Sequence, residues 1–178
     1  MASSDKQSLP VRRLLALSML VAMELALAAA ESLIPPFLPL PGIKLGLPNI
    51  VTLAAFSLAP KRQVLLVVLA RHTLAGLVLG NFFSPAFWIG FGASVLSFFV
   101  MAALYGIRHF SVVGVSLAGA ASHNAGQLMI VWLILNNPGI YYYIPMLLLW
   151  SVPMGLFTGF SAMWVISALS KAGINDKL

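Results

Sequence analysis

Two ionisable side chains lie deep inside long apolar runs of this sequence. Glu24 follows Arg12 by about 18 Å of helix, and Arg71 follows Arg62 by about 14 Å. Both depths fall near the middle of a hydrocarbon layer about 30 Å thick. An isolated charge is costly there, so we predict a buried ion pair between Glu24 and Arg71. His72 points about 100° away from Arg71, toward lipid or another helix, and is expected to be structural.

A second group of polar side chains is expected to converge at the outer end of the same helices. Glu31 lies about 28 Å along its helix. In a later helix His123 and Gln127 are four residues apart and share a face, with Asn124 one position away. Carboxylate, imidazole and amide groups at one level suit a polar ligand, and buried internal hydrogen bonds are the alternative. We predict a ligand site here, beneath a proline-rich segment that carries Lys44.

The remaining side chains exclude several catalytic chemistries. The sequence has no cysteine, and its only aspartates, Asp5 and Asp176, lie near its two ends. The P-loop, H-E-x-x-H and G-x-S-x-G motifs do not occur, so ATP binding through a P-loop and the corresponding hydrolase mechanisms are not expected. No aspartate-rich motif exists to hold Mg²⁺ on a diphosphate. We therefore expect no enzyme activity, no catalytic residue, no metal and no cofactor.

The elements that must position these groups are apolar helices. Of the 178 residues, 61% are apolar and 8% are charged, and the mean hydropathy is +1.00. Soluble domains carry about 25% charged residues, so this composition indicates an integral membrane protein. Since one span takes about 20 residues, the length predicts an all-α bundle of six transmembrane helices. The spans are expected at residues 13–34, 47–59, 63–80, 86–105, 111–135 and 142–169.

These spans are expected to form a single domain over residues 11–170. It is flanked by a disordered tail at 1–10 and a short tail at 171–178. The basic start and apolar run also fit a cleaved signal peptide, but Glu24 interrupts that run and its length favours a retained helix. Prolines spread through residues 35–48 exclude a regular helix, so we expect an ordered loop folded back over the bundle.

Basic residues determine the expected orientation. The net charge of +6 comes from residues that occur singly or in pairs between apolar runs, which is typical of topology signals rather than of a nucleic-acid surface. With the N-terminus in the cytoplasm, the loops on the opposite side carry only Lys44. The positive-inside rule thus predicts a multi-pass protein of the bacterial cytoplasmic membrane, with both termini in the cytoplasm and no nucleic-acid partner. The cytoplasmic markers are Arg12, Arg13, Lys61, Arg62, Arg108, Lys171 and Lys177.

Small residues at four-residue spacing predict where helices approach one another closely. Ala22, Ala26 and Ala30 repeat on one face of the first helix. In lipid, helix association depends on such close backbone contact. We expect internal packing at these positions, and the alternative, most plausible for the alanine face, is docking of a partner membrane protein. The same spacing recurs in the pairs Gly76/Gly80 and Gly155/Gly159 and in Ala118/Ser122/Gly126.

Several of these residues together resemble a known family. The segment PGIKLGLPNIVTL at 41–53, Arg71, and the segment SLAGAASHNAGQL at 116–128 resemble the Gx transporter family, which is also labelled heptaprenyl diphosphate synthase component I. That family is similar to the substrate-binding S components of energy-coupling-factor (ECF) vitamin transporters. The resemblance covers nearly the whole chain. Pro48 departs from it, because a small residue such as alanine is expected there.

The resemblance implies a six-helix S-component fold with an outward pocket, covered by the loop between the first two helices. It implies that a transmembrane coupling subunit and separate ATPase subunits act in trans. It also implies that Ala22, Ala26 and Ala30 match the alanine face that docks the coupling subunit. The signature positions that it transfers to this chain are Lys44, Gly46, Asn49, Arg71, His123, Asn124 and Gln127.

Two functions follow as hypotheses. The first is a substrate-capturing subunit of an ECF-type importer for a small polar metabolite or vitamin-like precursor. The second is a non-catalytic membrane component or scaffold of an isoprenoid, quinone or flavin electron-transfer assembly, as the synthase label suggests. The residues expected to bind or gate the ligand are Glu31, Lys44, Asn49, Arg71, His123, Asn124 and Gln127.

Overall fold

The computed structural model describes residues 4–33 and 46–173, and this part of the chain is all-helical, as predicted. It contains six α-helices, one short 3-10 helix and no β-strand. The 3-10 helix, Pro138–Tyr143, lies between the last two α-helices. The α-helices are α1 (Ser4–Ser32), α2 (Leu47–Leu58), α3 (Lys61–Val78), α4 (Pro85–Leu104), α5 (Val112–Leu135) and α6 (Ile144–Lys171).

α1 begins earlier than the sequence analysis predicted. A disordered tail was expected at residues 1–10, but the helix begins at Ser4. The stretch from Ser4 to Leu9 contains no glycine or proline that would interrupt a helix. The predicted tail therefore overlaps the first turns of α1 over residues 4–10, and its disorder stays a prediction. Residues 1–3 and 174–178, and the predicted loop over 34–45, lie outside the described residues.

Local capping signals set the other helix ends close to the predicted ones. The side chain of Ser84 accepts a hydrogen bond from the backbone N–H of Phe87 at 3.2 Å, and α4 begins one residue later than Ser84. Ser111 caps α5 in the same way, with the N–H of Gly114 at 3.1 Å. Asn136 ends α5 in the left-handed conformation with φ 46°, which asparagine tolerates better than most residues.

The six α-helices pack in a closed ring in the order α1, α2, α6, α5, α4, α3 and back to α1. α2 also contacts α3 and α5, so it lies nearest the axis of the ring. One end of the bundle holds the ends of α1, α3 and α5 and the beginnings of α2, α4 and α6. We call this end the upper end and the opposite one the lower end. The hydrogen bond from Arg13 Nε to Gln63 Oε1, at 3.1 Å, joins the first turns of α3 to α1 at the lower end. The lower end also carries the described residues Arg13, Lys61, Arg62, Arg108 and Lys171, which the sequence analysis assigned to the cytoplasm, whereas Lys177 lies outside the described residues.

Apolar packing fills the lower half of the bundle. Leu53, Val64, Met101 and Val115 are buried there and come from four different helices. The ring of Phe56 stacks between those of Phe98 and Tyr105, with centroid distances of 5.6 Å and 5.0 Å. The largest buried apolar cluster therefore lies in this half, while the polar residues described below line the upper half.

Glycines let α5 approach its two neighbours closely. A Cβ atom placed on Gly155 or Gly159 of α6 would lie 2.9 Å from a backbone Cα of α5, at Leu117 or Val113. A Cβ on Gly126 would lie 3.1 Å from the Cα of Ala93 in α4. These glycines therefore pack helices together, as expected from their spacing. The pair Gly76/Gly80 differs, since Gly76 packs on the ring of Phe87 and Gly80 has no neighbour within 4 Å of a Cβ.

Three helical segments are long and apolar enough to cross a membrane. They are Arg13–Ser32, Pro85–Leu104 and Pro138–Lys171, and the shorter α2 is apolar as well. α3 carries three basic residues, and α5 carries the polar stretch from His123 to Gln127. These side chains lower the hydropathy of the two helices. Of the three basic residues of α3, only Arg71 faces the interior described below, together with the polar residues of α5. The segments indicate a membrane protein, while the count of six spans and the orientation stay predictions.

Candidate functional site

A buried ion pair lies between the apolar core and the upper half of the bundle. Arg71 Nε of α3 is 3.1 Å from Glu24 Oε2 of α1, and the Glu24 side chain is completely buried. The hydroxyl of Thr52 in α2 donates to the other carboxylate oxygen, Glu24 Oε1, at 2.5 Å. The structure thus brings together the two charges that the sequence analysis paired. The ion pair and the Thr52 hydrogen bond therefore join α1, α2 and α3 at this depth.

Arg71 also contacts the adjacent residue, His72. Arg71 Nη2 lies 2.8 Å from His72 Nε2, and Ser94 Oγ of α4 lies 2.5 Å from the same nitrogen. A guanidinium has only donors, so His72 Nε2 must be the acceptor and carries no proton. The imidazole then carries its proton on Nδ1, and Ser94 Oγ lies within hydrogen-bond distance of the same Nε2. The chain of contacts therefore runs from Glu24 through Arg71 and His72 to Ser94, across α1, α3 and α4.

Above this chain lies a cavity to which all six α-helices contribute, which we call the polar cavity. Its volume is about 120 Å³. Glu31, Arg71, His123, Asn124 and Gln127 all line it, so the structure brings together the residues that were expected to converge. The lining residues are Ala28, Glu31 and Ser32 of α1; Gly46, Pro48 and Asn49 at the start of α2; Arg71 and His72; Gly90 and Ser94; Ala120, His123, Asn124 and Gln127; and Ser151, Met154 and Thr158 of α6.

Gln127 presents a buried acceptor in the wall of this cavity. Its residue surface is 7% exposed, and Gln127 Oε1 has no hydrogen-bond partner in the described part of the chain. One turn away, Asn124 Nδ2 donates to the backbone oxygen of Leu147 at 2.8 Å, which ties α5 to α6. Leaving a buried acceptor without a partner costs about 1–3 kcal/mol. Gln127 is therefore the group in this wall that gains most from a donor in the cavity.

Glu31 and Asn49 line the cavity near the start of α2. Glu31 Oε1 accepts a hydrogen bond from the backbone N–H of Gly46 at 2.6 Å, and Gly46 is the N-cap residue of α2. Gly46 has φ 76°, a left-handed conformation that favours glycine. Its carbonyl accepts from the N–H of Asn49 at 2.9 Å. Glu31 thus joins the end of α1 to the start of α2. Lys44, the remaining predicted site residue, lies outside the described residues.

Removing the Glu31 carboxylate should loosen the start of α2. For Glu31→Ala we expect a local loss of about 1 kcal/mol, typical of a helix N-terminal cap, and roughly fivefold faster amide hydrogen exchange at Gly46. Glu31→Gln retains an oxygen acceptor and is expected to keep most of the protection. Hydrogen-exchange mass spectrometry of the peptide containing Gly46 measures both. Equal exchange in the wild type and Glu31→Ala would show that this contact does not hold α2.

A second cavity lies beside the polar cavity, between α1, α3 and α4. Its volume is about 490 Å³ and its walls are mostly alanine, leucine, valine and phenylalanine side chains, so we call it the apolar cleft. The predicted docking residues Ala22, Ala26 and Ala30 are all exposed on α1, and the first two line the cleft. The other lining residues are Leu25, Ala28, Ala29, Ser32, Arg71, His72, Ala75, Gly76, Val78, Leu79, Asn81, Ala86, Phe87 and Gly90.

His72 and several hydroxyl residues were not recognised from the sequence as part of the site. His72 was expected to face lipid or another helix, and it contacts Ser94 of α4, but it also lines the polar cavity, which was not expected. α3 packs against α1, α2 and α4. The side chains of Arg71 and His72 leave the helix in different directions, and both therefore face protein. Ser151 and Thr158 are seven residues apart and share a face of α6, and that spacing was an available signal. Thr158 is joined to α5 by a hydrogen bond with Ser116 at 2.7 Å.

No group of three or more histidine, aspartate or glutamate side chains arranged to hold a metal occurs within residues 4–33 and 46–173. A family model described as heptaprenyl diphosphate synthase component I matches residues 20–165, a range that includes every residue of the polar cavity. A search of curated proteins and a search of solved structures each gave no match.

Proposed function

The chain belongs to the heptaprenyl diphosphate synthase component I family, and from its polar cavity we propose that it is the substrate-capturing membrane subunit of an ECF-type importer. The proposed cargo is a small polar metabolite or a vitamin-like precursor. The support comes from the position of the cavity at one end of the helical ring and from the variety of polar groups that reach it. A protein that only joins partners needs no such interior.

The observation that carries this proposal is the buried Gln127 acceptor. Gln127 Oε1 lies in the cavity wall without a hydrogen-bond partner in the described residues, while its neighbour Asn124 is already bonded to α6. A pre-organised acceptor that only a donor in the cavity can satisfy is typical of a binding site. A ligand N–H or O–H group at this position would recover the free energy that burial of the amide costs.

The charges around the cavity limit the ligand. Arg71 contributes a positive charge, but its Nε faces Glu24 and its Nη2 donates to His72. Glu31 of the neighbouring helix α1 adds a negative charge and is bonded to Gly46. The described residues therefore supply no unbalanced cluster of positive charge. They suit a ligand with hydrogen-bonding groups and at most one negative charge rather than a polyanion.

The rest of the proposed assembly follows from the same assignment. The chain has no P-loop, so ATPase subunits in trans would supply energy through a transmembrane coupling subunit. The exposed residues Ala22, Ala26 and Ala30 are the proposed docking face for that subunit, because small side chains allow close helix contact in lipid. In this proposal the chain is non-catalytic and resides in the bacterial cytoplasmic membrane with both termini inside.

The family description favours one other candidate. It names a component of a heptaprenyl diphosphate synthase, which fits a non-catalytic membrane scaffold for an isoprenoid-forming assembly. In that case the polar groups of the cavity serve internal hydrogen bonding, and a synthase subunit co-purifies with the chain in place of a small molecule.

Gln127→Leu tests the capture hypothesis. The substitution keeps the side-chain volume and removes the amide, and we expect it to lower the amount of co-purifying small molecule about tenfold, which corresponds to loss of one buried hydrogen bond of about 1.4 kcal/mol. The protein is extracted from the membrane in a mild detergent, and mass spectrometry then quantifies the small molecules per mole of chain. The wild type is expected to retain one metabolite at close to one equivalent.

Gln63→Leu is the matched control, since it makes the same chemical change at the lower end of the bundle. It removes only the acceptor of Arg13 and should leave ligand recovery unchanged. Equal recovery from the wild type and Gln127→Leu would contradict the capture role of the cavity. Recovery of a synthase subunit with no small molecule would support the scaffold instead.

A further inference from the structure

The polar cavity and the apolar cleft adjoin each other. Five residues line both of them: Ala28, Ser32, Arg71, His72 and Gly90. Gly90 adds no side chain where the two spaces meet, and a Cβ there would lie 3.9 Å from His72 Cε1. The two spaces therefore share a wall formed by α1, α3 and α4.

The two adjoining spaces differ in chemistry and in size. The cleft has a volume of about 490 Å³ against about 120 Å³ for the cavity. Away from the junction its walls are formed by side chains such as Ala26, Ala75 and Phe87. Polar groups that need hydrogen-bonding partners, such as Gln127 Oε1, belong to the cavity. A single occupant of both spaces must be polar at one end and apolar along the rest.

The cleft opens on the side of the helical ring. Ala22 and Ala29 of α1 are exposed there, and so are Val78 and Leu79 at the end of α3, at 76% and 62% of their surface. α1 packs against α2 and α3 and not extensively against α4, which leaves the cleft between α1 and α4. In a bilayer this face meets acyl chains whenever the proposed coupling subunit is not docked on it. A ligand would then enter the cleft laterally, with its apolar part in lipid throughout.

From these shared walls we infer that the two spaces form one binding site and that the captured ligand is an amphiphile, with a small hydrogen-bonding head in the polar cavity and an apolar tail in the apolar cleft. The inference rests on the proposed capture function and narrows its cargo from a small polar metabolite to a vitamin-like precursor that carries an apolar tail. The head donates to Gln127 Oε1 and carries at most one negative charge. The cleft runs along α1 from Ala22 to Ser32, about 15 Å at the helical rise, which is close to the length of an extended dodecyl chain.

Photolabelling in polymer-bounded nanodiscs tests the inference without detergent. The probe is dodecanol that carries a diazirine in its chain, and the comparison probe is a dodecane with the same diazirine and no head group. We expect dodecanol to label peptides of α1, α3 and α4 that line the cleft at least fivefold more than dodecane does. Ala29→Phe fills the cleft without touching the polar cavity and should reduce that labelling at least fivefold. Gln127→Leu should reduce it several-fold by removing the acceptor for the head.

Ala103→Phe is the matched control, because Ala103 is an exposed alanine of α4 at the lower end of the bundle. We expect dodecanol to label the cleft peptides of Ala103→Phe as strongly as those of the wild type. Ala86→Phe fills the cleft from the opposite wall and replaces Ala29→Phe if that variant does not fold. Equal labelling by dodecanol and dodecane, or no effect of either filling variant, would overturn the inference.

The ligand that co-purifies with the chain separates failure of the inference from failure of the proposed function. A ligand that enters the aqueous phase on extraction, depends on Gln127 and is unaffected by Ala29→Phe supports capture and contradicts an amphiphile. A ligand that enters the organic phase and is lost in Gln127→Leu and in Ala29→Phe supports the capture function and the amphiphile. If the wild type retains no ligand and dodecanol labels no better than dodecane, both are wrong.

Discussion

Glu24→Ala is expected to lower the free energy of unfolding by about 3–5 kcal/mol, because it leaves the Arg71 guanidinium buried without its counter-charge. Glu24 is completely buried and Arg71 is 8% exposed, so water cannot replace the missing carboxylate in the folded state. The variant also removes the acceptor of the Thr52 hydroxyl. The loss of stability is measured by heating the purified protein and quantifying, by size-exclusion chromatography, the fraction that stays monodisperse.

The double variant Glu24→Leu/Arg71→Met shows whether the two charges act as a pair or contribute independently to the free energy of unfolding. Replacing both buried charges with apolar side chains of similar size is often neutral, so we expect it to recover most of the stability that Glu24→Ala loses. Glu31→Ala, which removes a partly buried carboxylate in the same helix, should cost only about 1 kcal/mol. A double variant as unstable as the sum of its single variants would show that the two charges do not stabilise each other.

Gly159→Ala is expected to destabilise the protein by about 1–3 kcal/mol, because the added methyl group meets the backbone of α5. Its Cβ would lie 2.9 Å from the Cα of Val113 and 3.0 Å from the Cβ of Ser116. Backbone atoms cannot rotate away, so α5 and α6 must separate. That movement also stretches the adjacent hydrogen bond between Ser116 and Thr158. Thermal unfolding in the same detergent measures the change.

Gly114→Ala is the matched control on α5. A Cβ there meets its nearest neighbour, Ser111 Oγ, at 3.5 Å, an ordinary contact. Since alanine favours the helix over glycine by up to about 1 kcal/mol, this variant is expected to be as stable as the wild type or slightly more stable. If the two variants unfold at the same temperature, close packing of α5 on α6 does not depend on Gly159.

The sequence predicted the broad arrangement because polar groups in an apolar chain are few and each requires a partner. Counting residues from the basic markers put Glu24 and Arg71 at one depth, and the structure has them 3.1 Å apart. The same counting put Glu31 and the group from His123 to Gln127 near one level, and all of them line the polar cavity. Depth along a helix is fixed by its constant rise, so it can be read from sequence.

Direction around a helix axis was harder to predict, because it depends on which neighbours the helix has. His72 was assigned away from the site since it is one residue from Arg71, yet α3 is flanked by α1 on one side and α4 on the other. Ser94 gave no signal by itself, because an isolated serine in an apolar helix also bonds to its own backbone. The apolar cleft was not foreseen, since its alanines were interpreted as positions of close helix packing or, alternatively, as a surface for another protein.

The ion pair between α1 and α3 also affects how the chain is made. A ribosome adds roughly 5–20 residues per second, so Arg71 is synthesised several seconds after Glu24. Thr52 of α2 is synthesised within that interval, before Arg71, and it offers only a neutral hydroxyl to one carboxylate oxygen. The first two helices are therefore an incomplete unit during membrane insertion. Their carboxylate is neutralised only when the third helix arrives, which makes the order of translation part of how this bundle assembles.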